Sequence, residues 1–600
     1  MTIKYPVDES RLWFKSKYWP PKLPHQLDID FDMSLPDLLD RAVKNWGDLP
    51  YIAFEVGGLN WITFKQFADK VFRFATYLDS IGVKKGDVVA ALLPNCIQYA
   101  VAYYGATKIG AVISGINPTY KPLEMLHQVK TINAQYLITL DTLFVEIAKP
   151  ILDEGKWTFK KIIVTNITDD CSGLSPIKKM LGKALKKIPS AKVSHPAAVP
   201  YLTVLKSPPN PPKVKINPAE DTATLIMTGG TTGVPKAAVL THENVYANAK
   251  QCELLLVNQK EKETDPDLGP KTCMVGVLPF FHSFAMTTVM NVSMAAGSFI
   301  LLFPRPPPTE EILHAIATIK LPDGSDPNGI CYCGAEILFK RIADLPQEVI
   351  DKYPLKGRLK LCMSGAGPLH EYVRKPFTEK TGAALTEGYG LTEASPVVTC
   401  NNFFGEREPG YIGLPVPGTD VMIFDAADFS KGPIKELGEK GTGEICAAGP
   451  QVMKGYLGTT EGNIQEWGGK RWLLTGDIGF MDEHGRFAIR DRKKQLIKMS
   501  GHSVFPSEVE ELLGHHPKIS EVAVAGLPDP KTGEAVKAWV ALKAGETATP
   551  EELLAWAKEN MTDWKVPKYI EIIANIPTNL IGKVQRRVLQ EADPLFKKKP

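Results

Sequence analysis

The 600-residue chain reads as an α/β protein, with a large N-terminal domain of layered α/β subdomains and a small α+β C-terminal domain. Three observations carry that reading. The chain is longer than one hydrophobic core supports. Short apolar runs alternate with helical patterns through its first half, the signature of parallel strands joined by helices. Its character also changes near residue 490, which divides it into residues 1–490 and 491–600.

Val88 to Leu93 predicts a buried strand, Ile97 to Ile109 a helix rich in alanine and tyrosine, and Ala111 to Ile116 another strand. Leu123 to Ile132 then reads as helix, and Tyr136 to Leu140, Ile162 to Val164 and Thr224 to Met227 as core strands. Leu359 to Met363 is a further strand, and Trp472 to Met481 is rich in strand and turn. A lysine-dense turn, Arg490 to Lys494, marks the division. Beyond it, helices are expected at Pro506 to Leu513 and Pro550 to Glu559, and strands at Glu521 to Ala525, Val536 to Leu542 and Tyr569 to Ile573.

Hydrophobic residues make up 44% and charged residues 23% of the chain, the balance of an ordinary globular protein. A net charge of +3 is too mild to argue for nucleic acid. The nine cysteines are scattered, with only Cys331 and Cys333 close together, so a reduced, cytoplasmic protein is expected. The first residues carry Lys4, Asp8, Glu9, Arg11, Lys15 and Lys17 and resemble no secretory signal. No apolar run reaches the roughly 18 residues of a membrane span.

Between Cys171 and Pro218 the alternation lapses into a proline-rich excursion. Within it, residues 177–188 place apolar Ile177, Leu181, Ala184, Leu185 and Ile188 on one helical face and five lysines elsewhere. Such a helix either packs on the domain with solvated lysines or lies on an anionic membrane as a peripheral contact.

The chemistry begins at Thr228-Gly229-Gly230-Thr231-Thr232-Gly233, followed by Val234-Pro235-Lys236. Glycines admit backbone N–H groups to an anion, hydroxyls add donors and the lysine adds charge. Pro235 before Lys236 and Ala237 after it depart from the common nucleotide loop, in which glycine precedes the lysine and a hydroxyl follows. Read alone, the segment is equally a glycine-rich turn. Gly365-Ala366-Gly367 follows a strand and leaves room for a ligand. Gly388-Tyr389-Gly390-Leu391-Thr392-Glu393 offers an aromatic plate for a purine, a hydroxyl, and a carboxylate for a hard cation. Asp477, read as following a turn, suits ribose hydroxyls, and Arg492 and Lys494 lie in the charged boundary cluster. Lys583 follows Gly582 in an exposed-looking C-terminal loop.

In this order, from Thr63-Phe64 to Arg587, these segments resemble the adenylate-forming enzyme superfamily of acyl-CoA synthetases, aryl-CoA ligases and adenylation domains. The resemblance implies a C-terminal domain that is mobile, and co-substrates ATP and coenzyme A with Mg²⁺. It implies that Thr228 to Gly233 and Lys236 grip the ATP phosphates, and that Gly365 to Gly367 and Gly388 to Gly390 line the adenine and acyl pockets. Thr231 and Glu393 would hold Mg²⁺, Thr392 would contact the α-phosphate, and Asp477 and Arg492 would hold ribose. Lys494 would be the hinge, Gly501 would lie beside the pantetheine arm, and Lys498 would join the cofactor set. Lys583 would be the adenylation lysine, and His282 would line the acyl entrance.

Gly229, where serine is commoner, and Leu391 to Pro396 look most like bacterial medium- and long-chain fatty acyl-CoA ligases. Phe284, Met286 and Ala366 suit a flexible apolar chain. A small-molecule carboxylic acid, most like a fatty acid, is therefore the implied substrate. The alternatives are an aryl-CoA ligase or, outside the class, a nucleotide-binding regulator. Glu336 in Gly334-Ala335-Glu336, where many members have Gly-Val-Pro, would disfavour a plain fatty chain if it pointed into the acyl tunnel; the favoured expectation is that it begins a helix and faces solvent.

Overall fold

The computed structural model describes residues 4–228, 235–257, 268–403, 405–459, 463–493, 495–499, 502–579 and 582–596. Two large sheets dominate the body. The first runs in the order Leu414–Pro415, Val397–Cys400, Ala384–Gly390, Leu359–Ser364, Ile330–Gly334, Cys273–Gly276, Phe299–Leu302, Pro50–Glu55, Leu59–Thr63. Its six middle strands, from Ala384–Gly390 to Pro50–Glu55, pair in parallel. The second is centred on Val88–Leu92, flanked in parallel by Val112–Ile116 and Tyr136–Leu140. Ala111–Ile116, Tyr136–Leu140 and their neighbours thus form as the apolar runs predict, within a residue or two at each end.

The order of burial explains the layering. Val89, Ala91 and Ile113 of the second sheet and Ile52, Met274 and Ile300 of the first all join one core with helices Phe64–Ser80, Ile97–Lys108 and His242–Val257. These helices fill the space between the sheets. Ile97–Lys108 is buried from Ile97 to Thr107, which is why its sequence is apolar on every side rather than striped. The opposite face of the first sheet is covered by helices Thr309–Thr318, Glu336–Ala343 and Glu371–Thr381. Helix Pro122–Thr131 covers the second sheet in the same way. Two helices announce their starts: Ser34 with Asp37, and Thr63 with Gln66, form reciprocal capping boxes.

A third sheet contains Asp420–Phe424, Gly443–Ala448, Lys470–Met481 and Ile464–Trp467, with Phe487–Arg492 paired to Lys470–Met481. Two expectations change here. Asp477 does not follow a turn but lies within the long strand Lys470–Met481. Asp491 and Arg492, expected within the turn Arg490 to Lys494, are the end of its partner strand. Cross-strand pairing across a bulge, which local composition does not encode, decides both.

The small domain has its own sheet, with Gly533–Leu542 between Ile519–Asp529, antiparallel, and Tyr569–Ile572, parallel. Helices Pro506–Gly514 and Pro550–Asn560 pack on it, and its core is separate from that of the body.

Gly105 of helix Ile97–Lys108 faces helix Phe64–Ser80: a Cβ there would be 2.7 Å from the Phe74 ring. Gly105→Val should destabilise the body by about 1–3 kcal/mol, read as a lower midpoint in urea; an unchanged midpoint would mean the helices are not in contact.

Candidate functional site

The candidate residues collect where the strands end. Thr222–Met227 delivers Thr228, Leu359–Ser364 delivers Gly365 to Gly367, and Ala384–Gly390 carries Gly388 to Gly390 and leads into Thr392 and Glu393. His282 follows Cys273–Gly276 by a short loop and caps the helical segment that begins at Ser283. Carboxyl ends of strands are where open α/β sheets place ligands.

Asp477 organises one side. Its carboxylate is buried, accepts a hydrogen bond from the Tyr389 hydroxyl at 2.6 Å and pairs with Arg492 Nε at 3.1 Å. Strand register dictates the ion pair, since Asp477 and Arg492 are direct cross-strand partners. Gly476 donates its N–H to Glu444 at 2.9 Å, and Lys493 Nζ is 3.0 Å from the same carboxylate. Burial and the Asp477 charge push the Tyr389 phenol far above its ordinary range.

Glu393 occupies the other side and accepts from the Tyr456 hydroxyl at 2.6 Å. Tyr456 is brought there by the short strand Gly455–Tyr456, which pairs with Ala237–Thr241 next to Lys236. The Lys236 ammonium lies 5.4 Å from the centre of the Tyr456 ring. Thr228 N–H donates to the Lys236 carbonyl at 2.8 Å, so the ends of the glycine-rich loop are pinned together. Thr392 Oγ1 lies 3.3 Å from Ser283 Oγ. His282 Nδ1 accepts from Phe284 N–H at 3.2 Å, which leaves the proton of the neutral ring on Nε2. Burial and the nearby Lys583 charge lower the imidazole to about 4, so His282 is neutral at physiological pH.

The wall between these sides is backbone-tight. Ala366 adopts φ +70°, an uncommon conformation for a residue with a side chain. A Cβ on Gly365 would fall 2.9 Å from the Phe284 ring, whereas one on Gly367 would meet nothing within 4 Å. A side chain at 367 would thus point into open space.

Lys583 comes from the small domain. A tight loop presents it: Asn579 Oδ1 accepts from Lys583 N–H at 2.9 Å, Thr578 bridges Val584, and Gly582 takes φ +78°. The loop is exposed at Thr578 and Asn579, as expected, but docked at its Gly582 end, where a Cβ would come within 2.5 Å of Ile337 and 3.0 Å of Ala335 in the large domain. Burial and the Arg492 cation lower the Lys583 ammonium to about 8, opposed by Asp477 and Glu393. Lys583 therefore shares one electrostatic neighbourhood with Arg492, Asp477, Glu393 and His282.

Lys498 is not gathered in. Its side chain is exposed on the small-domain strand Ile497–Met499, and its N–H donates to Glu534 at 2.7 Å. Gly229, Gly230, Thr231, Thr232, Gly233, Lys494 and Gly501 lie outside the described residues. Tyr456 and Ser283 were not anticipated; only long-range strand pairing and helix placement bring them in. Glu336 does begin a helix but does not face solvent. Its carboxylate accepts from His370 N–H at 2.7 Å and is 2.8 Å from His370 Nδ1.

The donor set suits a nucleotide with a hard cation. Mg²⁺ is held by one or two carboxylates with phosphate oxygens, and Glu393 supplies one carboxylate beside the pinned loop. Residues 39–457 match the model of the AMP-binding enzyme family and residues 508–583 that of the AMP-binding enzyme C-terminal domain. The chain belongs to the AMP-binding enzyme family.

Among its relatives, the long-chain-fatty-acid–CoA ligase of Bacillus subtilis (strain 168) is 35% identical over 585 residues, covering 96% of this chain and 97% of that protein. The enzyme of the same name from Yersinia pestis is 33% identical, covering 97% and 98%. The solved anthranilate CoA ligase in complex with anthranoyl-AMP superposes with a TM-score of 0.77 at 22% identity, over 94% of this chain and 98% of that one. At that identity it attests the fold alone. In this AMP-binding enzyme, then, both domain types of the family are present and Lys583 belongs to the second.

The Lys583 value depends on its neighbours in a way that can be read directly. By NMR of isotopically methylated lysines, Lys583 should titrate near 8, with its charge present below that pH and lost above it. Arg492→Gln removes the cation that most lowers Lys583 and should move the titration upward; a downward move would mean Arg492 is not the neighbour that matters.

Proposed function

We propose that this chain is an AMP-forming acid–CoA ligase acting on a long-chain fatty acid, in two half-reactions. The observation that carries the reading is Lys583, supplied by the small domain beside Asp477 and Glu393 of the large one and Arg492 at the boundary between them. The names of the relatives at 33–35% identity support the fatty acid, as do Phe284 and Met286 beside the site.

In the first half-reaction a carboxylate oxygen of the acid attacks the α-phosphorus of ATP; the P–O bond to pyrophosphate breaks and acyl-adenylate forms. Thr228 to Gly233 and Lys236 hold the phosphates, Thr392 the α-phosphate, and Asp477 and Arg492 the ribose. Gly365 to Gly367 and Gly388 to Gly390 line the adenine and acyl pockets, and neutral His282 lines the acyl entrance. Lys583 stabilises negative charge that grows on the phosphoryl oxygens. Mg²⁺, when held by Glu393 and Thr231, supplies further neutralisation of the phosphates. In the second half-reaction the CoA sulfur attacks the acyl carbon and AMP leaves. For this the small domain turns about Lys494, near the division at residue 490, withdrawing Lys583 and presenting Gly501 and Lys498 to the CoA arm.

Peripheral membrane contact is the second part of the proposal. Helix Pro176–Ala184 buries none of its residues, and Ile177, Met180, Leu181 and Leu185 are 67%, 65%, 51% and 65% exposed. Lys178, Lys179, Lys183, Lys186 and Lys187 surround them. This apolar face with a basic border matches an anionic bilayer, where each lysine contributes about 1 kcal/mol. Among the described residues no helix is long and apolar enough to cross a membrane.

Acid-dependent exchange of labelled pyrophosphate into ATP should be strongest with long-chain fatty acids across a panel that includes aromatic acids. Exchange with aromatic acids alone would replace the fatty-acid reading, and none with any acid would remove the ligase reading. Lys583→Ala should slow exchange about 10²–10³-fold while still converting supplied acyl-adenylate and CoA to thioester; equal loss of both would refute the role of Lys583. Co-sedimentation with phosphatidylglycerol vesicles should fall sharply when Leu181 and Leu185 become Asp, and unchanged binding would remove the membrane contact.

A further inference from the structure

We propose that His370 is a positioning residue that latches the small domain in the orientation in which Lys583 faces the site, by bridging Glu336 of the large domain and Glu511 of the small one. The inference rests on the reading that the two half-reactions use different orientations of the small domain.

His370 precedes helix Glu371–Thr381, and its side chain is 11% exposed. Nδ1 is 2.8 Å from Glu336 Oε1, and Nε2 is 3.4 Å from Glu511 Oε2. A neutral imidazole has one N–H and satisfies one carboxylate; the imidazolium has two and satisfies both. The ring also stacks on Tyr372, with centroids 5.1 Å apart at 20°. Tyr372 in turn abuts the small domain, where a Cβ on Gly514 would fall 2.7 Å from its ring.

The same patch receives the Lys583 loop, since Gly582 packs on Ala335 and Ile337, the neighbours of Glu336 in sequence. Helix Pro506–Gly514 joins the two contacts. Glu511 faces His370, while Glu510 on the same helix takes Arg586 Nε at 3.0 Å and Nη2 at 2.5 Å. Arg586 is three positions beyond Lys583. A force on Glu511 is therefore passed through one rigid helix to the segment that aims Lys583.

The electrostatics make the imidazolium necessary. Glu336 from its helix and Glu510 and Glu511 from the small domain act on His370, and Glu387 from the first large sheet in turn feels the His370 charge. Glu371, the residue after His370, pairs with Arg374, and His515 lies 3.5 Å from Glu511. Burial alone would lower the imidazole, but Glu336 first and then Glu511 and Glu510 raise it to about 9. Burial raises Glu387 to about 8 and also raises Glu511. Without a cation at His370, Glu336 and Glu511 would meet unscreened across the interface. Because the folded value exceeds the ordinary 6.5, the latch is complete below about pH 6.5 and is lost as pH rises through about 9.

The full chain, its His370→Ala and Glu511→Gln variants and the double variant test this, with both half-reactions measured at pH 7. His370→Ala should slow acid-dependent pyrophosphate exchange about tenfold, and thioester formation from supplied acyl-adenylate should stay within about twofold. Glu511→Gln, which preserves shape, should shift the same ratio in the same direction. The double variant should be no slower in exchange than the slower single one, because both remove one bridge. Equal loss in both half-reactions, full retention of exchange, or simple additivity would overturn the latch. If His370→Ala proves globally unstable, Glu511→Gln alone decides. A readout independent of catalysis is amide hydrogen exchange of the free protein. Both variants should exchange faster across 335–343 and 506–514 and be unchanged in the strand at 88–92; no local change would overturn the latch. A wild-type chain with no acid-dependent exchange would count against the ligase reading, and the hydrogen-exchange result would still judge the latch.

Discussion

The buried Asp477 carboxylate is the constraint on which the site depends. A buried carboxylate must be paired or hydrogen-bonded, and Asp477 meets that demand with groups from separate elements: the Tyr389 hydroxyl and the Arg492 guanidinium. Tyr389 ends a strand of the first large sheet, while Asp477 and Arg492 belong to the third. Satisfying one charge therefore ties two sheets together at the place where the small domain begins. The same arrangement sets the field in which Lys583 arrives, with Arg492 disfavouring its charge and Asp477 and Glu393 favouring it.

Much of the scaffold was legible because its signal is local. Parallel strands buried on both faces read as unbroken apolar runs, and Val88–Leu92 and Tyr136–Leu140 appear where the runs predict them. The all-apolar helix Ile97–Lys108 announced its own burial. The site was legible only as an ordered set of motifs. Its contacts are long-range, and a single sequence carries little of that information. Tyr456 reaches Glu393 only because Gly455–Tyr456 adds to the edge at Ala237–Thr241. Asp477 reads as a post-turn residue because Thr475-Gly476 suggests a turn, yet pairing with the strand that ends at Arg492 holds the segment extended.

Glu336 is the sharpest divergence between the two. A helix N-terminus stabilises an acid, and that part of the reasoning holds. What the local argument lacks is the second partner. His370, 34 positions away in sequence, turns a solvated helix-end carboxylate into one side of a domain contact. Charged residues at domain boundaries are usually solvated; here the docking of Gly582 on Ala335 and Ile337 excludes water beside them and raises the weight of each charge.

The two lysine-region interactions then differ in kind. Arg586 is bound twice to Glu510 within the small domain, so it travels with that domain and fixes the loop's internal shape. His370–Glu511 crosses the boundary and is made only while the domains are docked. A rearranging protein needs both: rigid internal pairs that preserve the geometry of the moving part, and weaker crossing pairs that can be broken. A single contact at 3.4 Å to a partly exposed carboxylate belongs to the second class, being longer than the paired contacts of Arg586 with Glu510. That modest strength is what a reversible latch requires, because a bridge made as strong as Arg586–Glu510 would hold Lys583 in the site after its charge was no longer needed.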